Sequence, residues 1–290
     1  GKHVALDIAS FKVRAFRSDA PAHFRPSVAC KYGYKAVLSR LLSVWAVGLG
    51  DPSFLHVVLD GGRFPLKSAT HGNRLSGKTY DERIAEALAL DKQGQDDKAS
   101  ALYKELAFVA CPPSVDAWII AHCRKYGVTV HVAPCEADSM CGRLALDGDV
   151  DAVISYDGDL GAYKGVTHLI VADSGKQGVY WNVFPERDII GCQVGKLDFR
   201  GWTSYDYRTV CAAAGTDYLK RVHNMGWATL VTTLNALSKE HAFGSSELRE
   251  AFVGKLTEKN SAQAADHQIE NYSATLWASF AAFEDPPGLP

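Results

Sequence analysis

Short apolar runs alternate with longer segments of helical periodicity through the first two thirds of this chain. Six short runs bounded by Gly, Pro or charged residues predict strands. They are His3–Ala9, Phe54–Leu59, Thr129–Ala133, Asp151–Ser155, Thr167–Val171 and Gly178–Val183. The alternation of strands with helices favours βαβ units, so we expect an α/β fold with a mostly parallel sheet.

Helical periodicity separates these runs and then dominates the last third of the chain. The predicted helices are Lys31–Val47, Tyr80–Phe108, Val115–Tyr126, Tyr205–Ala214, Trp227–Leu237, Ser246–Thr257 and an aromatic-rich final helix up to Ala282. We therefore expect an α/β core over residues 1–200 with a helical insertion at about 68–112. A helical region over 201–290 is expected to pack on that core as one unit.

The composition of the 290 residues is that of an ordinary globular protein. It is 47% apolar and 22% charged, which excludes a disordered chain. Every apolar run is shorter than the ~20 residues that span a bilayer, so no membrane partner is expected. The chain opens at Gly1 without the layout of a signal peptide and without an initiator Met, which predicts a trimmed domain.

Seven cysteines and ten histidines are scattered along the sequence. The cysteine number is odd and no Cys-x-x-Cys pair occurs, which predicts reduced thiols rather than a disulfide framework or a zinc site. The histidines form neither a His-x-x-x-His pair nor a His-Glu-x-x-His motif. Each is therefore interpreted as a surface or core residue.

Acidic side chains follow four of the predicted strands. They are Asp7 after the first strand, Asp60 after the second, Glu136 and Asp138 after the third, and Asp157 and Asp159 after the fourth. The carboxyl ends of parallel strands meet at one edge of an open sheet, where ligands bind. For any single position, helix capping or a turn is the better interpretation, but it fits poorly for four strands together.

Six carboxylates at one edge would repel one another unless cations were bound. Hard Mg²⁺ or Mn²⁺ ions take oxygen ligands, and two such ions hold a phosphodiester for in-line attack by water. The spacing alone therefore favours a two-metal phosphodiesterase.

Four motifs then resemble those of the flap endonuclease / exonuclease one / XPG family of structure-specific 5′ nucleases. Ala133–Cys141 resembles A-P-x-E-A-[ED]-A, Ser155–Leu160 resembles T-x-D-x-D-x, Val58–Gly61 resembles F-D-G, and Gly215–Leu219 resembles G-x-D-Y-L. Glu-Ala-Asp at 136–138, the stretch Ile84–Phe108 and the closing Leu276–Pro287 resemble the exonuclease one branch. The resemblance covers nearly the whole chain in order.

The resemblance implies a PIN-like fold, a helical arch near 68–112 and two Mg²⁺ ions for which Mn²⁺ substitutes. Asp60, Glu136 and Asp138 would hold one ion, with Asp7 acting through water. Asp157 and Asp159 would hold the second, with Asp217 nearby. The catalytic cations of the family fall on Lys67 and Arg74, which would draw the scissile phosphate onto the metals. The implied reaction is hydrolysis of DNA to a 5′-phosphate and a 3′-hydroxyl.

The segment Tyr218–Leu230 resembles the helix–hairpin–helix with which the family holds duplex DNA. Its implied DNA-binding residues are Lys220, Arg221, Asn224, Met225 and Gly226, with K⁺ as a further ion there. The family's G-[IV]-G turn reads Asn224-Met-Gly226 here, and Asn tolerates the positive φ that the turn requires. A second departure is Val13, which stands where the family carries an aromatic or His.

The resemblance implies that the substrate is duplex DNA with a 5′ end, nick, gap or flap. It also implies a monomeric enzyme located in the nucleus, with a mitochondrial or cytoplasmic location left open. A sliding clamp or mismatch-repair proteins would bind through regions outside this chain. The net charge of −2 does not by itself indicate a nucleic-acid binder. Basic candidates for phosphate contacts are Lys12, Arg14, Arg17, Arg63, Lys78, Lys220 and Arg221.

Two other functions remain open on sequence grounds. Gly72–Thr79 fits the P-loop pattern G-x-x-x-x-G-K-[ST], although the polar, Pro65-containing segment before it does not resemble a central strand. A P-loop NTPase would also leave Asp7, Asp138 and Asp159 without roles. The other alternative is a non-catalytic nucleic-acid-binding scaffold of the same fold.

Overall fold

A computed structural model describes residues 2–12, 51–62, 80–99, 101–102, 113–175, 178–216 and 219–286. The predicted helix Lys31–Val47 and the position of Val13 lie outside these residues. The chain divides into two compact units, Gly1–Ala137 and Asp138–Pro290, which are described separately. The predicted division into residues 1–200 and 201–290 stays a prediction.

The first unit contains three parallel strands in the order β3-β2-β1. They are β1 (Val4–Asp7), β2 (Leu55–Leu59) and β3 (Thr129–Val132). The central positions of β1 and β2 are fully buried, which is the environment of a parallel strand covered on both faces. The three apolar runs of the sequence thus form strands as predicted, each within one or two residues of the expected bounds.

Among the described residues of the first unit, two helices of 13 residues each lie between β2 and β3. They are α1 (Tyr80–Lys92) and α2 (Pro113–Lys125). The prediction of one helix over Tyr80–Phe108 is wrong, because the chain turns after α1 at Gly94, whose φ is 70°. Only glycine adopts this conformation readily, so the residue ends the helix. The chain becomes helical again from residue 96.

The first strand ends earlier than the predicted His3–Ala9, because residues 8–12 are helical. Lys12 in this segment is buried, and its Nζ lies 2.7 Å from Oδ1 of Asp116. The interpretation of Lys12 as a phosphate contact is therefore wrong. A buried ammonium group needs a carboxylate partner, and Asp116 supplies one from a helix 104 residues along the chain.

The sheet of the second unit combines a parallel and an antiparallel pair. Strand β4 (Ala152–Ile154) runs parallel to β5 (His168–Gly175), and β6 (Gly178–Pro185) returns antiparallel to β5. A short helix α4 (Glu186–Ile189) and a small hairpin of β7 (Gln193–Val194) and β8 (Leu197–Asp198) follow. The strands β5 and β6 are both longer than predicted.

Helix α3 (Ala137–Asp147) leads into this unit and is absent from the predicted elements. Its buried residues recur at helical spacing: Ala137, Met140, Cys141, Leu144 and Ala145. This pattern is the periodicity of a helix with one buried face. The signal was present in the sequence next to the Glu-Ala-Asp motif.

The last third of the chain is helical, as predicted. Its helices are α5 (Ser204–Ala213), α6 (Trp227–Leu237), α7 (Ser246–Ser261) and α8 (Tyr272–Glu284). A capping box of Thr203 and Asp206 starts α5, and the Ser245 side chain caps α7. Across the described ranges, no helix combines the length and apolarity that crossing a bilayer requires.

A buried ion-pair network joins three elements of the second unit around Arg208. Its side chain is only 9% exposed. Nε donates to Oε1 of Glu284 at 2.6 Å, and Nη1 donates to Oε1 of Glu186 at 3.2 Å. The other oxygen of Glu284 lies 3.6 Å from Nζ of Lys164. Since Arg208 belongs to α5, Glu186 to α4 and Glu284 to α8, one guanidinium fixes all three helices together.

We expect Arg208→Ala to lower the free energy of unfolding by about 3 kcal/mol or more, because removing the cation leaves two carboxylates poorly compensated in a buried position. Urea unfolding followed by circular dichroism measures the loss. Arg200→Ala is the matched control, since Arg200 pairs with Asp198 but is 63% exposed. Equal losses in the two variants would contradict a special role for the buried network.

Candidate active site

The backbone segments that follow β2 and β3 are hydrogen-bonded to each other. Gly61 N–H donates to the carbonyl oxygen of Cys135 at 2.6 Å, and Gly62 N–H donates to that of Pro134 at 3.1 Å. The contact between the two chain segments thus extends beyond the ends of the parallel strands. It holds the segment after Asp60 beside the segment that carries Glu136.

Position 61 requires glycine because there is no space for a side chain. A Cβ atom there would overlap the carbonyl oxygen of Ala133, which is backbone and has no freedom to move aside. The requirement is steric, and a left-handed conformation plays no part in it. Sequence reasoning found Gly61 only as part of a motif and missed this role.

The Asp60 carboxylate is fixed by the start of the next helix. Its Oδ1 accepts a hydrogen bond from Ala137 N–H at 3.0 Å, which caps the N-terminus of α3. Its other oxygen, Oδ2, receives no hydrogen bond from any described residue, and the side chain is exposed. Asp60 is therefore held in orientation by one oxygen while the other remains available.

Glu136 and Asp138 flank the first residue of α3. Both side chains are half-buried, and the Oε2 atom of Glu136 is buried. Asp138 lies in the first turn of the helix, where the helix dipole favours negative charge. Asp60 and Glu136 thus lie at the same helix N-terminus, which lowers the cost of gathering acids there.

Asp7 is the last residue of β1 and is 1% exposed. Its Oδ1 accepts hydrogen bonds from Ala9 N–H at 3.0 Å and from Ser10 N–H at 3.4 Å. In the sheet register Asp7 pairs with Val58, two residues before Asp60. The acids that follow β1, β2 and β3 therefore lie at the carboxyl edge of the parallel strands in the first unit.

Asp157 and Asp159 follow β4 in the second unit and show the same arrangement. Ser155 Oγ accepts a hydrogen bond from Asp157 N–H at 2.9 Å, and Asp157 Oδ1 accepts one from Asp159 N–H at 3.0 Å. Asp157 thereby caps the 3₁₀ turn Gly158–Ala162, and its Oδ2 receives no hydrogen bond from any described residue. Sequence reasoning missed the buried Ser155, which fixes the backbone before the first acid.

Two titratable groups on α5 lie near Asp159. Burial raises the pKa of the Cys211 thiol to about 12, a hydrogen bond from the Tyr207 hydroxyl opposes the rise, and the carboxylate of Asp159 adds to it. Burial likewise raises the pKa of Tyr207. Burial therefore favours the protonated thiol at neutral pH.

The side chains at the strand ends fit Mg²⁺ or Mn²⁺ in donor type, because carboxylate oxygens are the ligands that these hard ions take. Within the ranges that the structure describes, no group of three or more His, Cys, Asp or Glu side chains is arranged to hold a metal ion. Lys67, Arg74 and Asp217 lie outside those ranges, as do Arg14, Arg17, Arg63, Lys78 and the P-loop pattern 72–79. The metal and catalytic assignments stay predictions.

The predicted DNA-binding segment is a loop over residues 219–226, called the hairpin below, with a turn closed by a hydrogen bond from Met225 N–H to the carbonyl oxygen of Val222 at 3.0 Å. Asn224 has a φ of 61°, so the positive φ expected of it is confirmed. Residues 219–226 contain no helix, and the two helices that flank the segment are α5, which ends at Ala213, and α6, which begins at Trp227. Over residues 219–230, the described part of the predicted range 218–230, only the second helix of a helix–hairpin–helix is therefore present.

The side chains of this hairpin divide into buried anchors and exposed polar groups. Leu219, Val222 and Met225 are buried, whereas Lys220, Arg221, His223 and Asn224 are exposed. The Met225 side chain therefore belongs to the core, and only its backbone is available for a phosphate contact. Gly226 is half-buried and caps α6 without a side-chain hydrogen bond.

Comparison with known proteins supports the interpretation of the sequence motifs. Residues 127–217 match the model of the XPG I-region, a segment that includes β3, α3 and β4 with their acids. The resemblance to the flap endonuclease / exonuclease one / XPG family is confirmed. The chain is 28% identical over 172 residues to Exonuclease 1 of Arabidopsis thaliana, covering 59% of this chain and 22% of that protein.

A second relative is matched over more of the chain. Exonuclease 1 of Oryza sativa subsp. japonica is 25% identical over 231 residues, which covers 79% of this chain and 25% of the rice protein. The chain thus spans about a quarter of the length of the curated relatives that it matches.

Two solved structures share the fold of this chain. The catalytic core of Rad2 in complex with DNA substrate matches 99% of this chain and 80% of its own, with 14% identity and a TM-score of 0.57. The eukaryotic junction-resolving enzyme GEN-1 with potassium matches 100% of this chain and 58% of its own, with 16% identity and a TM-score of 0.54. The predicted PIN-like α/β fold is confirmed, while the helix–hairpin–helix and the arch stay predictions.

We expect Gly61→Ala to lower the free energy of unfolding by about 2 kcal/mol, because the methyl group forces apart the hydrogen-bonded segments after β2 and β3. Gly254→Ala is the control, since that glycine lies inside α7 with no atom within 4 Å of an added Cβ. Alanine there is expected to stabilise the helix slightly. Urea denaturation of both variants decides the point, and a Gly61→Ala protein as stable as the parent would contradict the steric constraint.

Proposed function

We propose that this chain is the nuclease region of a metal-dependent 5′ nuclease that hydrolyses phosphodiesters of duplex DNA at a 5′ end, nick, gap or flap. The proposal rests on the hydrogen bonding of two acids that follow strands. Asp157 lies within the matched XPG I-region, and Asp60 precedes that region in the sequence. Asp60 and Asp157 each use one carboxylate oxygen to cap a helical segment and keep the other oxygen without a hydrogen bond from described residues. Preorganised carboxylates of this kind suit divalent-metal binding.

The proposed ligands divide between two ions. Asp60, Glu136 and Asp138 hold the first Mg²⁺, with Asp7 acting through water. Asp157 and Asp159 hold the second, with Asp217 nearby. When bound, Mg²⁺ or Mn²⁺ supplies Lewis-acid polarisation of the phosphodiester. Support for a pair of ions comes from the resemblance and from the donor types.

The protein's own part in the reaction is to orient the metal-binding carboxylates and to neutralise the negative charge of the phosphate. The caps at α3 and at the turn Gly158–Ala162 fix the carboxylates before substrate arrives, so little reorganisation is needed. Lys67 and Arg74 are proposed to draw the scissile phosphate into place and to stabilise the charge that develops on it. The products are a 5′-phosphate and a 3′-hydroxyl.

Duplex binding is assigned to the hairpin 219–226. Lys220, Arg221 and Asn224 are exposed on it, and backbone N–H groups at the start of α6 suit a phosphate. K⁺ is proposed at this hairpin, with support from the similar fold of GEN-1, which is described with potassium. We further propose a monomeric nuclear enzyme whose clamp or mismatch-repair partners bind outside this chain.

Cleavage of end-labelled nicked, flapped and recessed-5′ duplexes tests this function. We expect Mg²⁺- or Mn²⁺-dependent cleavage from the 5′ side that is abolished by chelator. Asp60→Asn and Asp157→Asn are each expected to reduce the rate by about a hundredfold or more, because each removes a charged ligand. Asp188→Asn is the matched control, since Asp188 on α4 is exposed and is not among the acids that follow strands β1 to β4.

The remaining outcomes separate the alternatives. Cleavage that persists in chelator or in Asp157→Asn would contradict the metal mechanism. Duplex binding without cleavage under any metal would support the non-catalytic scaffold. The ladder of products distinguishes an exonuclease, which releases short fragments, from a flap endonuclease, which releases the intact flap.

A further inference from the structure

Two histidines far apart in sequence are stacked beside the proposed duplex-binding hairpin. His223 belongs to the hairpin, and His267 belongs to the 3₁₀ turn Ala265–His267 between α7 and α8. Their ring centroids are 4.5 Å apart and their planes differ by 17°. Both side chains are exposed, so the pair is part of the surface of the second unit.

The hairpin surface that receives His267 is suited to a polyanion. Its buried anchors, at every third position, leave Lys220, Arg221, His223 and Asn224 exposed. The sequence of residues 219–226 contains two cations and no carboxylate. Every exposed side chain of the hairpin is therefore a cation or carries an N–H donor, and phosphate oxygens accept from such groups.

The loop that carries His267 is held firmly in place. The side chain of the buried Asn260 forms two hydrogen bonds with the backbone of Ile269 and so closes the loop. Its Nδ2 donates to the carbonyl oxygen of Ile269, and its Oδ1 accepts from Ile269 N–H, both at 2.9 Å. The side-chain amide of Gln268 donates to the carbonyl oxygen of Gln263 at 2.9 Å. Because the loop and the ring are already ordered, little conformational entropy is lost when a ligand binds there.

We propose that His267 is a further duplex-binding residue, which extends the hairpin surface by donating an imidazole N–H to a phosphate of the DNA backbone. The inference rests on the proposed function, because the hairpin is taken to hold duplex DNA. His267 reaches the hairpin only through tertiary packing, 44 residues after His223. The contact is to the backbone, so it positions the duplex without reading its sequence.

The test separates a phosphate contact from a stacking role. His267→Phe keeps an aromatic ring to stack on His223 but removes both ring nitrogens, whereas His267→Ala removes the stack as well. His241→Phe, in the connection between α6 and α7, is the matched control. Binding of a fluorescent nicked duplex is measured by anisotropy in chelator, and thermal melting of each variant verifies its folding.

We expect His267→Phe and His267→Ala both to weaken duplex binding by about three- to tenfold, the range of an ordinary solvent-exposed hydrogen bond. His241→Phe should bind as the parent does. A His267→Phe protein that binds as tightly as the parent would overturn the inference and leave a stacking role. If Lys220→Ala weakens binding in that case, the proposed hairpin function survives. If the parent protein itself fails to bind duplex, both proposals fail.

Discussion

The hydrogen bonds between the backbone segments that follow β2 and β3 decide where the acids of the first unit lie. They require a glycine at position 61, and they hold the segment after Asp60 against the segment that leads into α3. The Asp60 carboxylate then caps α3, whose first residues are flanked by Glu136 and Asp138. One steric requirement in the backbone thus controls the position of Asp60 relative to Glu136, two of the proposed metal ligands.

A similar capping arrangement is found after β1 and β4. In each place a carboxylate caps the helical segment that follows its strand, so helix capping and metal binding are compatible for these acids. A capped carboxylate has one oxygen fixed and its orientation set. In the second unit, the Arg208 network joins α4, α5 and α8, and α5 places Tyr207 and Cys211 near Asp159.

Local patterns predicted a large part of this structure, and pairings between distant residues account for most of what they missed. Apolar runs located the strands, since burial on both faces produces continuous apolar sequence. The same rules expected one helix through Gly94 and missed α3, whose apolar spacing was available but follows a proline-containing motif. The acids were found because each of them follows an apolar run that forms a strand.

Lys12 and His267 show the limit of such reasoning. A lysine paired with Asp116, 104 residues away, has no local signature of burial, and His267 resembled any other isolated histidine until packing brought it against His223. The space needed at Gly61 is equally invisible, because the atom that fills it belongs to another strand end.

Manganese soaked into crystals of the protein would examine the proposed metal centre directly, through its anomalous scattering. We expect two peaks, one at the carboxylates of Asp60, Glu136 and Asp138 and one at those of Asp157 and Asp159. The first peak should disappear in Asp60→Asn and the second in Asp157→Asn. Crystals that bind manganese only elsewhere, or not at all at saturating concentration, would contradict a two-metal nuclease.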